Sequence, residues 1–147
     1  MKILLEQLPD FASNFLNDFG ADSTSSEKAL LIGLSGNLGA GKTTFTQQVS
    51  KILNIEEKIT SPTFVLMKKY SIDFGKFKNL IHIDAYRVED PNELKVLKFS
   101  ELCDDPENLI FIEWPEKVEE VLPEKRITIT FEVADEDSRE INIIKNV

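Results

Sequence analysis

Cysteine is nearly absent: Cys103 stands alone, so no internal disulfide is possible and a reducing compartment, the cytoplasm, is the expected home. No apolar run approaches membrane-spanning length, and the opening Met1-Lys2-Ile3-Leu4-Leu5 turns polar at Glu6, too early for a signal-peptide core. Arginine is scarce, with only Arg87, Arg126 and Arg139, widely scattered. The net charge of −9 argues against a broad electrostatic grip on nucleic acid, which needs a basic surface. A basic patch, or work on RNA through a partner, remains compatible with that balance. Repeats and low-complexity tracts are missing too. What remains is an ordinary soluble composition, 41% hydrophobic and 29% charged, and 147 residues suit one domain spanning 1–147 with a single sizeable core.

The most informative stretch is Gly36-Asn37-Leu38-Gly39-Ala40-Gly41-Lys42-Thr43, followed by Thr44. It fits G-x-x-x-x-G-K-[ST] at every fixed position. Glycines let consecutive backbone N–H groups turn inward into a nest for anionic oxygens. Lys42 is then placed to reach β- and γ-phosphates, and the Thr43 hydroxyl to take one position on Mg²⁺. The context agrees. Residues 29–34 read as a short buried strand, while Phe45, Val49, Ile52 and Leu53 recur at helical spacing after the loop. Strand, glycine loop and helix N-terminus form a phosphate-binding unit, so the chain is expected to bind a nucleoside triphosphate.

Elsewhere, Phe11, Phe15, Leu16 and Phe19 give a helical face closed by Gly20, with Asp10 as a candidate cap. Residues 64–70 and 80–84 read as strands around a turn over 73–79 containing Gly75, an antiparallel pair that makes the sheet mixed. Asp90-Pro91 starts a helix whose apolar side is Leu94 and Leu97. Residues 109–113 are an apolar strand, Pro115 opens a short helix, and strands 126–133 and 139–144 form a hairpin across Asp135-Glu136-Asp137. The expected fold is α/β, a P-loop NTPase-like three-layer arrangement with a mixed central sheet of about seven strands and flanking helices.

A phosphate loop needs an acid at the end of a neighbouring strand to hold Mg²⁺. Two apolar strands end in one: Asp84 and Glu113. Glu113 is the candidate metal ligand and Asp84 the candidate catalytic or water-orienting group. Ser61-Pro62-Thr63 reads equally as a turn fixed by Pro62 or as a segment whose hydroxyls sense the γ-phosphate. Trp114 fits core or interface. His82, inside a strand and without a second ligand of its kind nearby, reads as core packing or a hydrogen bond.

Four motifs occur in order: the phosphate loop, Ser61-Pro62-Thr63-Phe64, His82-Ile83-Asp84-Ala85-Tyr86-Arg87 and Glu113-Trp114-Pro115-Glu116. Together they resemble the TsaE (YjeE) family, small bacterial P-loop ATPases of tRNA threonylcarbamoyladenosine biosynthesis, over nearly the whole chain. The resemblance implies binding and hydrolysis of ATP with Mg²⁺ in support of TsaD and TsaB, which attach threonylcarbamoyl to the adenosine beside the anticodon of ANN-decoding tRNAs. Contact with tRNA is implied only indirectly, and neither DNA nor a membrane is an implied partner. By motif match, Lys42 holds phosphate, Thr43 and Glu113 ligate Mg²⁺, and Asp84 supports hydrolysis. Ser61, Pro62 and Thr63 form a switch-like segment with Trp114 a mobile neighbour, and the regions of Leu8 and Arg139 enclose the adenosine end. Two positions depart from the family pattern: Asn37 stands where Asp is usual, and Ala85 where Leu is usual. Backbone groups carry most of the loop's work, so phosphate binding is expected to survive the first.

Rival readings need features this chain has little of. A small-molecule kinase needs a phosphoacceptor pocket and commonly an arginine-bearing lid. A Ras-like GTPase would carry Asn-Lys-x-Asp, which does not occur. A nucleotide-dependent interaction module with no useful turnover overlaps the partner-dependent ATPase.

Overall fold

The computed structural model describes residues 1–20, 27–37, 39–57 and 66–146. Seven strands form one sheet in the order β1-β7-β6-β2-β5-β4-β3. They are β1 (Lys2–Leu4), β2 (Leu30–Gly36), β3 (Met67–Phe74), β4 (Phe77–Asp84), β5 (Asn108–Glu113), β6 (Arg126–Asp135) and β7 (Ser138–Asn146). The central four, β4, β5, β2 and β6, run parallel, and antiparallel β3, β7 and β1 complete the edges. This is the mixed sheet expected. Every residue of β5 is buried, which is why its sequence Asn-Leu-Ile-Phe-Ile-Glu is apolar without alternation. Edge strand β3 instead alternates exposed Lys69, Ser71 and Asp73 with buried Tyr70 and Ile72.

The strands' two-residue period divides the core into two layers. One face of the sheet carries Ile32, Leu34, Leu80, Leu109 and Phe111 beneath α1 (Leu8–Phe15) and α2 (Lys42–Ile52). The other carries Leu31, Ile81, Ile83, Ile110 and Ile112 beneath α3 (Phe99–Asp104) and two 3-10 segments, Pro91–Leu97 and Pro115–Val121. Helix on both faces gives the three-layer α/β arrangement. Phe45 of α2 is the hub of the first face, with ring centroids 5.7 Å from Phe11, 5.8 Å from Phe15, 6.0 Å from Phe111 and 5.7 Å from Phe131. One side chain thus ties the helix after the phosphate loop to α1 and two strands.

Several local expectations need correction. Asp10 lies in the first turn of α1 rather than capping it; Gln7 stands at the cap position. A π-helical turn, Leu16–Gly20, carries the helical face onward. Ile52 is 37% exposed, and Leu53, just past the end of α2, is the buried neighbour instead. The turn placed at 73–79 shrinks to Gly75 and Lys76, because Gly75 takes a φ of 57° and Phe74 pairs directly with Phe77. The expected helix start at Asp90 is observed as a 3-10 segment, with the Asp90 carboxylate accepting from the Asn92 N–H at 2.9 Å. Strand β1 and helix α3 had no counterpart in the sequence reading. Among the described residues no helix is long and apolar enough to cross a membrane. Leu38, the switch-like Ser61, Pro62 and Thr63, and the start of the strand placed at 64–70 lie outside the described residues.

Candidate functional site

Strand β2 ends at Gly36, and the loop leads into α2 at Lys42. Gly36 has a φ of 146° and lies so close to β6 that an added Cβ would fall 2.4 Å from the Phe131 carbonyl oxygen. Gly41 has a φ of 115° immediately before the helix. Both positions require glycine, the first for close approach and the second for the left-handed turn. The loop is closed by the Ala40 N–H donating to the Asn37 carbonyl at 3.1 Å. Gly39 keeps a φ of 79°, Ala40 is buried, and Thr44 points to solvent from the first turn of α2.

Register brings the acids to this loop. Asp84 pairs with Glu113 across β4 and β5, and Glu113 pairs with Leu34 across β5 and β2. Both carboxylates therefore stand at the carboxyl ends of parallel strands beside the phosphate loop, where ligands sit in open α/β sheets. Glu113 is only 3% exposed, and both its oxygens are engaged. Oε1 accepts from the Thr43 hydroxyl at 3.1 Å, and Oε2 lies 2.8 Å from His82 Nε2. Asp84 accepts the Tyr86 N–H at 2.9 Å, fixing the turn that leaves β4.

Lys42 is 5% exposed, its Nζ donating to the Gly36 carbonyl and, at 3.5 Å, to the Asn37 carbonyl. The same ammonium lies 3.8 Å from the centre of the Trp114 ring. Burial pushes the Lys42 ammonium below the usual lysine range, while the carboxylates of Glu113, Glu116 and Asp84 pull it upward. Trp114 holds a left-handed backbone, φ 61°, through its N–H to the Leu34 carbonyl at 3.2 Å. Its ring packs on Tyr86 at 5.1 Å. Trp114 thus belongs to the wall of the site. Tyr86 shares this wall, and the Ser35 hydroxyl donates to Glu116 at 3.2 Å; no local pattern marks either as a site residue.

Two candidates lie apart from this cluster. Leu8 is 2% exposed and packs in the core at the start of α1, so it sets where that helix begins rather than offering a side chain to a ligand. Arg139 is on β7, paired with Val133 of β6 and Ile3 of β1, and donates to the carbonyls of Asp135 and Ser138 at 3.0 and 2.9 Å. It lies at the same end of the sheet as the phosphate loop, two strands away. A broad groove lined by Lys28, Leu30, Leu94 and Arg126 opens at the opposite end, by the starts of β2 and β6, and shares no residue with the site.

The hydroxyl of Thr43 and the carboxylate of Glu113 form an all-oxygen pair suited to a hard cation. Among the described residues no three His, Cys, Asp or Glu side chains gather to hold a metal unaided. That donor set fits Mg²⁺, which keeps several waters and takes its remaining ligands from phosphates.

A mixed α/β sheet with a glycine loop between its central strand and a helix defines a protein of the P-loop NTPase-like class. Comparison with known proteins narrows this. The family described as threonylcarbamoyl adenosine biosynthesis protein TsaE matches residues 6–141. The tRNA threonylcarbamoyladenosine biosynthesis protein TsaE of Haemophilus influenzae is 36% identical over 118 residues, which are 80% of this chain and 72% of that one. Its namesake in Bacillus subtilis is 38% identical over 111 residues, 76% of this chain and 66% of that one. The Aquifex aeolicus protein of the same name is 37% identical over 117 residues, covering 78% and 77%. The crystal structure of Bacillus subtilis YdiB superposes with a TM-score of 0.70 at 27% identity, covering all of this chain and 84% of that one. The chain belongs to the TsaE family of tRNA threonylcarbamoyladenosine biosynthesis.

Proposed function

We propose that the chain binds ATP with Mg²⁺ at the phosphate loop and hydrolyses it in support of TsaD and TsaB, in the cytoplasm, as they form N6-threonylcarbamoyladenosine in ANN-decoding tRNAs. The observation that carries the reading is the Thr43–Glu113 pair, 3.1 Å apart at the mouth of the loop that holds Lys42. Backbone groups from Gly36 to Gly41 cradle the phosphates, and the N-terminus of α2 adds its positive end. Lys42 exchanges the Gly36 and Asn37 carbonyls for β- and γ-phosphate oxygens, a gain for an ammonium already held in a buried position. Thr43 and Glu113 would hold Mg²⁺, which supplies charge neutralisation between the phosphates when bound. Asp84, beside Glu113 in register, orients the attacking water. Trp114, with Tyr86 packed on its ring, lies over the Lys42 ammonium on one side of the site.

Contact with tRNA is through TsaD and TsaB, in keeping with a net charge of −9. The test is ATP turnover by the purified chain, alone and with TsaD and TsaB. Slow turnover that rises with the partners and disappears in Lys42→Ala is the expected result. Full turnover indifferent to the partners, or ADP release that depends on a small phosphoacceptor, would replace this reading with a kinase.

A further inference from the structure

His82 is a fully buried polar side chain on β4, on the sheet face that carries Leu80 beneath α1 and α2. It lies opposite Phe111 in the pairing of β4 with β5, so Glu113, two residues on, is its diagonal neighbour on the same face. There the ring nitrogen Nε2 lies 2.8 Å from Glu113 Oε2. Nδ1 is buried with no partner among the described residues.

These two facts select one tautomer. With the proton on Nε2, the ring donates to a carboxylate and leaves only a lone pair unmatched at Nδ1. With the proton on Nδ1, a buried N–H would lack an acceptor and a ring lone pair would face the carboxylate, so both contacts would be unfavourable. The Nε2–H donor constrains Oε2, and Oε1 is thereby held toward the Thr43 hydroxyl.

We propose that His82 is a positioning residue of the nucleotide site: its Nε2–H fixes the Glu113 carboxylate in the orientation that pairs it with Thr43 and presents it to the Mg²⁺ of bound ATP. The inference rests on the proposed Mg²⁺–ATP reading and adds a device to it. Partners that orient a metal ligand typically change metal affinity by about 10- to 100-fold when removed, without touching the metal.

His82 is the sole histidine, so selective ¹⁵N-histidine labelling reports one ring in the full chain. The expected spectrum has Nε2 protonated and Nδ1 bare with no nucleotide or metal added; a Nδ1–H tautomer would overturn the proposal whether or not any variant folds. The second measurement is ATP affinity by calorimetry, across a Mg²⁺ titration and in EDTA. His82→Leu is expected to raise the Mg²⁺ concentration for half-maximal effect about tenfold or more and to leave affinity in EDTA at the parent value. His82→Gln, whose amide can still donate, is expected to fall between the two. A folded His82→Leu with the parent's Mg²⁺ requirement would overturn this inference alone. A parent whose ATP binding ignores Mg²⁺ would overturn the proposed function as well.

Discussion

Replacing Gly36 with alanine sets a packing claim against a number. The new Cβ would meet the Phe131 carbonyl oxygen at 2.4 Å and the Phe131 carbonyl carbon at 3.3 Å. The obstacle is backbone, and Phe131 is itself held against Phe45, so neither side has room to yield. The φ of 146° adds strain that any side chain feels. Backbone strain of about 1–3 kcal/mol and overpacking of about 1–3 kcal/mol together predict a loss of about 3–5 kcal/mol. With a urea slope of about 2 kcal/mol/M, the unfolding midpoint should fall by about 2 M. Gly39 is the internal control. Its φ is 79°, but no described atom lies within 4 Å of an added Cβ, so alanine there should cost only about 1–2 kcal/mol. Equilibrium urea unfolding of both variants, followed by circular dichroism, makes the comparison. Equal losses at the two positions, or a Gly36→Ala loss below about 0.5 kcal/mol, would refute the claim that β2 enters the loop by close contact with β6.

Three further outcomes are expected. Phe45→Ala should destabilise the fold by about 3–5 kcal/mol in the same urea assay, since it empties the centre of an aromatic cluster joining α1, α2 and two strands; a cost under about 1 kcal/mol would remove Phe45 as the hub. Asp84→Asn should lower ATP turnover at least tenfold with ATP affinity retained, and an undiminished rate would take Asp84 out of the mechanism. Burial, with Asp104 beside it, pushes the Cys103 thiol up to about 11. The acid form therefore persists through neutral pH, and alkylation at pH 8 should run on the order of a hundredfold slower folded than in urea, rising only as pH nears that value. Equal folded and unfolded rates would contradict it.

What a single sequence could reveal here follows the range of the interactions. The P-loop, the apolar strand ending at Glu113 and the one ending at Asp84 are local patterns, and each is where it was expected. That both acids share the carboxyl end of the parallel strands follows from strand direction, which the strand–loop–helix pattern already implied. Strand β1 was not legible because three residues are too few for a period, and its place is set by pairing with β7 some 135 residues later. The segments 91–97 and 115–121 carried helix-start signals but form 3-10 turns, since proline openings do not distinguish the two. His82 read as core packing or a hydrogen bond, and it is buried with a hydrogen bond; its partner Glu113 depends on β4–β5 register, which no local pattern specifies. Trp114 could be read as core or interface because its placement over Lys42 needs the left-handed turn after β5.

The central claim is that this phosphate loop holds Mg²⁺–ATP through Lys42, Thr43 and Glu113. The most direct measurement is a calorimetric titration of ATP with Mg²⁺ into the parent chain and into Lys42→Ala, with GTP as competitor. Saturable ATP binding that weakens without Mg²⁺, resists GTP and is lost in a folded Lys42→Ala is the predicted result. ATP affinity unchanged by Lys42→Ala would contradict the account at its foundation.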